Sequence, residues 1–469
     1  MLFTEGRFFL LFAAAFGLYW SLRSNRLRKL WLLACSCVFY GAWDWRFLGL
    51  MFVSIVLDYG IGRGLEATKT DRGRRALLAA SIVANLGILG FFKYFGFFVD
   101  SAVALLSALG LDVGTRTLEV VLPVGISFYT FQSMSYTIDV YRGQMRAVRS
   151  FGDFALFVAF FPQLVAGPIV RAVDFLPQLE RARSWRDDVQ VRASLALFLM
   201  GFVKKACVAD GIAAAIDPVY VAPPMWDAAS HWLALALYTI QVYCDFSGYS
   251  DMAIATAGLL GYQLTKNFDW PLLATDITDW WRRWHISLST WFRDYLYYPL
   301  GGNRLGPVRT YVNLWIVFFL CGLWHGAQWK YVIWGVMCGT YLIAHRLWSR
   351  SELGSRPSGR VRELVGWVAT TFGVMMWWPV FRGLDFTRSG QQLEILFGAS
   401  PGGQRNLGAW WYAGLLAMLL VHMGTRARVG AAWLARLPDW AWALGYGVCA
   451  ALAATFTASG YQPFVYFQF

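Results

Sequence analysis

Five histidines occur in the 469-residue chain: His231, His285, His325, His345 and His422. His325 lies in GLWHGAQW (322–329), inside an apolar run, with Gly322 and Gly326 opening space around it. An ionisable group at membrane depth is costly and by default faces a cavity where it has a task. The plainer alternative is a packed, hydrogen-bonded helix histidine. His285 follows Arg282, Arg283 and Trp284 and reads either as an interfacial anchor or as a second site residue. His231 and His345 sit at ends of apolar runs and read as interfacial, His422 as structural. Two histidines without a carboxylate or cysteine pair fall short of the three protein ligands of catalytic zinc, so no metal is expected. No GxSxG elbow, P-loop or dinucleotide fingerprint occurs. What remains is a histidine acting as general base in a membrane-embedded cavity, suited to moving an acyl group from a thioester to a hydroxyl.

Such a cavity has to be built by helices, and the composition supplies them. The chain is 58% hydrophobic, 18% aromatic and only 15% charged, with a mean hydropathy of +0.45, far too apolar for an ordinary soluble protein of this length. Apolar stretches of roughly 17–25 residues, enough to cross a hydrocarbon core of about 30 Å, recur from end to end. Spans are predicted near 7–22, 30–43, 47–61, 76–98, 120–140, 151–170, 193–215, 231–262, 311–327, 330–347, 364–381, 408–424 and 438–458. The 193–262 stretch has room for an extra break. Glu5 and Arg7 do not make the basic start of a signal peptide, so the first span is expected to be retained as an anchor. The seven cysteines lie mostly within apolar runs, without CxxC pairing, and read as small core residues.

The fold class expected is an all-α polytopic integral membrane protein forming a single domain over residues 1–469. Residues 1–98 read as scaffold helices, 99–350 as the core and 351–469 as C-terminal helices with an aromatic tail. In 122–304, Pro, Gly and charged residues interrupt the apolar runs, as in FFPQLVAGPIVR (160–171) and YCDFSGYSDMAIA (243–255). Broken helices at membrane depth are tolerated where protein or a water-filled cavity satisfies the freed backbone groups. The segment 266–304 packs Asp276, Asp279, Arg282, Arg283, His285, Arg293 and Asp294 among aromatics. It suits an amphipathic or re-entrant helix rather than an ordinary span.

A net charge of +13 would by itself suggest a nucleic-acid partner, but its placement argues for a lipid bilayer. Basic clusters at 23–29, 63–75, 142–149, 346–362 and 426–436 occupy alternate loops, while the loops between carry chiefly Arg116, Arg388 and Arg405. The positive-inside rule then puts the clusters in the cytoplasm and both termini outside.

The runs WWRRWHISLSTWFRDYLYYPLGGNR (280–304) and CGLWHGAQW (321–329) resemble the signature of the membrane-bound O-acyltransferase (MBOAT) family, in its bacterial alginate O-acetyltransferase branch. LPVGISFYTFQSMSYTIDVYR (122–142) and FFPQLVAGPIVR extend the likeness over most of residues 90–350. Cys321 stands where glycine is common in that branch. The resemblance implies a ring of about 11–13 transmembrane helices, with re-entrant or interfacial helices around a central funnel open to both faces. It puts the family's catalytic histidine at His325 and a second catalytic position at His285. Arg282, Arg283, Trp284, Asn303, Arg304 and Trp324 become candidate donor or substrate contacts, with interfacial anchoring as the alternative for the charged ones. The acyl donor implied is cytoplasmic acetyl-CoA, with no bound cofactor. The implied product is O-acetylation of an exported, alginate-like or other cell-envelope polysaccharide. The implied partners are a periplasmic SGNH or esterase-like acetyltransferase and the synthesis and export machinery.

The chain ends in QPFVYFQF (462–469), an aromatic peptide without charged side chains. It reads as an interfacial belt, but it also resembles the tyrosine-containing C-terminal motif of the small partner protein in the related teichoic-acid D-alanylation system. On that resemblance Tyr466 is a candidate acyl relay. Proton transfer from a phenol (pKa about 10) to histidine (about 6.5) costs roughly 3.5 units, or about 5 kcal/mol, far less than from a much less acidic, water-like hydroxyl. The phenyl ester so formed keeps a good leaving group for a second transfer. Competing readings are transfer of D-alanine or another acyl unit to an envelope polymer, and, from a different class, a transporter or polysaccharide-export scaffold. Paired interrupted repeats, the usual mark of transporters, are not found.

Overall fold

The computed structural model describes residues 1–111, 120–355, 359–457 and 464. Arg116, Arg356 and Tyr466 lie outside the described residues. Every named element is a helix; the one β-bridge among the described residues pairs Trp226 with Arg405. Four helices, Arg46–Ala67, Asp71–Ala108, Gly306–His325 and Arg360–Arg382, are long and apolar enough to cross a membrane. The chain is an all-α, multi-pass membrane protein. Its residues form two compact units, Met1–Phe198 with Ser250–Thr265 and Leu199–Tyr249 with Lys266–Phe469.

In the first unit the apolar runs become Gly6–Ser21, Asn25–Asp44, Arg46–Ala67, Asp71–Leu89 and Ile126–Tyr141. Thr70 starts the fourth by accepting the Gly73 N–H on its hydroxyl. Aromatic residues at 91–98 loosen that helix into a π-turn at Gly90–Tyr94 before it continues as Phe95–Ala108. The interior is polar at one point. Asp58 accepts hydrogen bonds from Ser81 (2.6 Å), Asn85 (2.8 Å) and Ser133, all fully buried. A carboxylate without water needs such donors.

The predicted span 151–170 is helical only over Phe151–Ala159. Pro162, Gly167 and Pro168 end the regular structure, yet residues 154–170 stay buried throughout. The freed groups find partners within the unit. Ser36 Oγ accepts the Phe161 N–H (3.1 Å), and the Gln163 amide donates to the Phe157 carbonyl (2.5 Å). Gly125, at φ +76°, begins the next helix with its Cα close to the Leu164 carbonyl, where a Cβ would stand 2.8 Å away.

The second unit carries most of the unusual chemistry. The predicted span 193–215 is interrupted by a π-helix at Val203–Ala209, and residues 222–227 separate Asp210–Val221 from Ala228–Leu259. Lys205 lies inside the π-turn, buried, with its ammonium 2.6 Å from Asp210 and 2.7 Å from Asp245. Segment 266–304 forms no span. It folds as Ile277–Arg283, Ile286–Phe292 and a π-turn at Arg293–Tyr297. After it, Gly306–His325 and Trp329–Trp348 make a helical hairpin whose backbones nearly touch. A Cβ at Gly322 would overlap the Tyr331 carbonyl and one at Gly335 the Phe318 carbonyl. Small residues at crossings of this kind let membrane helices approach.

Candidate active site

The segment after residue 266 is shaped by its own polar side chains. Asp276 caps Ile277–Arg283 by accepting the Asp279 N–H at 2.8 Å. Arg282 and Arg283 close that short helix, where cations suit its negative end. The next helix cannot simply continue, because His285 takes left-handed backbone angles at φ +43°, uncommon for a side-chain-bearing residue. Asn267 holds this turn. Its backbone carbonyl accepts the Ile286 N–H (2.9 Å), and its side-chain Oδ1 accepts the Ser287 N–H (3.2 Å) and hydroxyl (2.9 Å).

The same Oδ1 lies 3.1 Å from His285 Nδ1. Because a backbone N–H already donates to it, this Asn267 atom is an acceptor, so Nδ1 of neutral His285 carries the proton. The basic lone pair is therefore on Nε2. His325 is set the same way by different means. It is the last residue of Gly306–His325, and its Nδ1 lies 2.6 Å from the Cys321 carbonyl one turn earlier. A carbonyl only accepts, so again Nδ1–H donates and Nε2 is the base.

Both rings are nearly fully buried in an aromatic frame. Trp324 stands edge-on to both, 5.8 Å from the His285 ring and 5.1 Å from that of His325. Trp334 approaches His325 at 4.7 Å and Phe246 approaches His285 at 4.5 Å. The two histidines line one cavity of about 660 Å³, large enough for an extended small-molecule chain. Arg282, Arg293 and Arg346 line it as well. Arg293 is paired with Asp294 at 2.7 Å, whereas the side chains of Arg282 and Arg346 make no hydrogen bond or ion pair with the described residues.

Of the residues singled out in the sequence, His285, His325, Arg282, Trp284 and Asn303 come together on this cavity. Three others do not line it. Arg283 turns back to Asp279 (2.8 Å) and the Asp269 carbonyl (3.2 Å). Arg304 is exposed, and Trp324 is packed behind the cavity wall between the histidine rings. Sequence reasoning misses Asn267 and Arg346 as site residues. Arg346 repeats Leu342, another lining residue, after one helical turn, and that spacing was its only available signal. Asn267 lies 18 positions before His285, with no pattern linking the two. Tyr466 lies outside the described residues. Phe464, two positions earlier, is fully buried, its ring 4.9 Å from Tyr249 and 5.8 Å from Phe246.

A histidine with its Nε2 unprotonated at the end of a helix long enough to cross a membrane, over a cavity lined by cations, fits an integral membrane acyltransferase. The family model of the membrane-bound O-acyltransferases matches residues 146–378, and the chain belongs to that family. It is an O-acyltransferase. The probable alginate O-acetylase AlgI of Pseudomonas aeruginosa is 42% identical over 85% of this chain and 75% of its own length. The peptidoglycan O-acetyltransferase of Helicobacter pylori is 33% identical over 79% and 74%. The teichoic acid D-alanyltransferase of Streptococcus thermophilus is further away, at 26% over 55% and 68%.

Proposed function

We propose that the chain is the membrane O-acetyltransferase of a cell-envelope polysaccharide system, taking acetyl groups from cytoplasmic acetyl-CoA and passing them outward across a bacterial inner membrane. Acetyl is favoured over D-alanyl by the relatives that match over most of the chain. The observation that carries the site is the cavity shared by His285 and His325, each with Nδ1–H committed to an oxygen acceptor.

In this reading His325 Nε2 takes the proton of an acceptor hydroxyl as its oxygen attacks the thioester carbonyl. The C–S bond breaks, and the imidazolium returns the proton to the departing thiolate. His285, which lines the same cavity, assists. Arg282 and Arg346 suit the phosphates of the donor, with Asn303 beside them, and Trp284 contributes apolar lining. A Tyr466 phenol as first acceptor is supported by the burial of Phe464 against Phe246, the ring that meets His285. A periplasmic esterase-like acetyltransferase would then carry the acetyl group to the glycan, alongside the synthesis and export machinery.

The test is incubation of purified protein with radiolabelled acetyl-CoA, comparing wild type, His325→Ala and Tyr466→Phe. Label retained covalently on wild type alone is the expected result. Label lost only in His325→Ala moves the acceptor to another residue. No label on wild type removes the relay, and acetyl-CoA hydrolysis or transfer to a partner then decides whether the donor also falls.

A further inference from the structure

A second cavity, of about 710 Å³, lies on the other face of the Trp329–Trp348 helix, against Arg360–Met375 and the bend at Thr275 and Asp276. Its lining is graded. One end holds Asp276, His345, Ser349, Arg362 and Glu363. Going along both helices, the lining loses its charges and becomes largely apolar, with Val365, Gly366 and Ala369 beside Tyr341 and Thr370. From Arg362 to Ala369 is seven residues, or about 10 Å of helix. The polar end is where the basic cluster 346–362 meets the membrane surface. The apolar end is flanked by Val365, 61% exposed on a helix long and apolar enough to cross a membrane.

A polar pocket at headgroup depth continuing into an apolar groove fits one class of ligand, a membrane phospholipid. The charges narrow it further. Arg362 donates to the Gly354 carbonyl, which keeps its guanidinium at the polar end. His345 is fixed there by Thr278 (3.3 Å) and Ser349 (3.5 Å). These groups suit a phosphate. Opposite in sign are two carboxylates, Glu363 and Asp276, the latter using Oδ1 to cap its helix and keeping Oδ2 for another donor. Two acids beside one guanidinium give an ammonium on the headgroup partners of its own, which a headgroup carrying the phosphate alone does not use.

We propose that this cavity is a binding site for a phosphoethanolamine-headed phospholipid. The phosphate lies at Arg362 and His345, the ammonium at Glu363 and Asp276, and an acyl chain runs along Val365 and Ala369. The site is separate from the histidine cavity and does not depend on the acetyl-transfer reading.

Native mass spectrometry of the detergent-purified full chain, titrated with palmitoyl-oleoyl phosphatidylethanolamine or phosphatidylglycerol, tests it. The expected result is one ethanolamine lipid retained at about tenfold lower concentration than the glycerol lipid, the size of one charge-assisted contact. Glu363→Arg should abolish that preference. Ala369→Trp, which fills the apolar end without touching the charges, should lower retention of both lipids. Equal retention of the two lipids by wild type overturns the proposal, as does a preference that survives Glu363→Arg. Displacement by glycerophosphoethanolamine as effective as by intact lipid also overturns it, since the acyl groove would then contribute nothing.

Discussion

Each of the two site histidines has its Nδ1 proton fixed by an oxygen, Asn267 Oδ1 for His285 and the Cys321 carbonyl for His325. With His325 as the proposed base, His325→Ala should lower acetyl transfer by about 10²–10⁴-fold, the usual worth of general base catalysis. Expression and melting should stay near wild type, measured by transfer rate and thermal unfolding in parallel. Asn267→Ala should behave differently. It strips an acceptor from His285 and Ser287 together and should cost about 1–3 kcal/mol of stability. It should also lower kcat more than it raises KM, because the substrate cavity keeps its walls. A pure KM effect would show that Asn267 does not act through His285.

The two histidines were legible as cavity-lining residues because an ionisable residue in GLWHGAQW or WWRRWHIS contradicts its apolar surroundings. Asn267 was not, because its approach to His285 is produced by a left-handed turn, a tertiary feature without periodicity. Arg283 and Arg304 were candidate donor contacts on the family resemblance. The capping geometry of Ile277–Arg283 sends the first toward Asp279 instead.

Among the helices, interruptions follow from sequence more faithfully than lengths do. Proline and glycine at 162–168 foretold the break after Ala159, but not that the irregular stretch would remain wholly buried, which depends on partners such as Ser36. The π-turn at Val203–Ala209 had no sequence signal beyond paired lysines in an apolar run. Its reason is structural, since it brings Lys205 between Asp210 and Asp245. Lys205→Met should take the shared ammonium from the buried Asp245 and the half-buried Asp210 and destabilise the second unit, by up to about 3–5 kcal/mol. Lys205→Met combined with Asp210→Asn and Asp245→Asn should recover much of that loss, read as thermal midpoints in detergent. The hairpin of Gly306–His325 and Trp329–Trp348 gives a sharper test. Gly335→Val places side-chain carbons on the Phe318 carbonyl and should cost about 1–3 kcal/mol through overpacking. Because His325 ends the helix that carries Phe318, transfer activity should fall as well. Val336→Ala, one position on, removes volume rather than adding it at the crossing and should be tolerated in both assays.

For the molecule as a whole, the charge asymmetry between loops predicts one orientation. In a cysteine-less background, Arg72→Cys and Arg428→Cys should react with a membrane-impermeant maleimide only after permeabilisation. Arg405→Cys should react in intact cells. The opposite pattern would reverse the direction of acetyl export. Membrane residence and family were legible from composition and from a few aromatic-rich runs, because those reflect solvent and chemistry directly. The partition into two compact units was not, since the chain leaves the first near residue 198 and returns to it for 250–265.

Asp58 carries a consequence for how the protein is made. An aspartate near the middle of Arg46–Ala67 costs about 2.5–3.5 kcal/mol toward insertion of an isolated helix. Its donors arrive later in synthesis, Ser81 and Asn85 with the following helix and Ser133 only 75 residues on. Early helices must therefore linger beside the insertion machinery until Ile126–Tyr141 has emerged. Nascent chains stopped before that point should be released to lipid less readily than the same chains carrying Asp58→Leu.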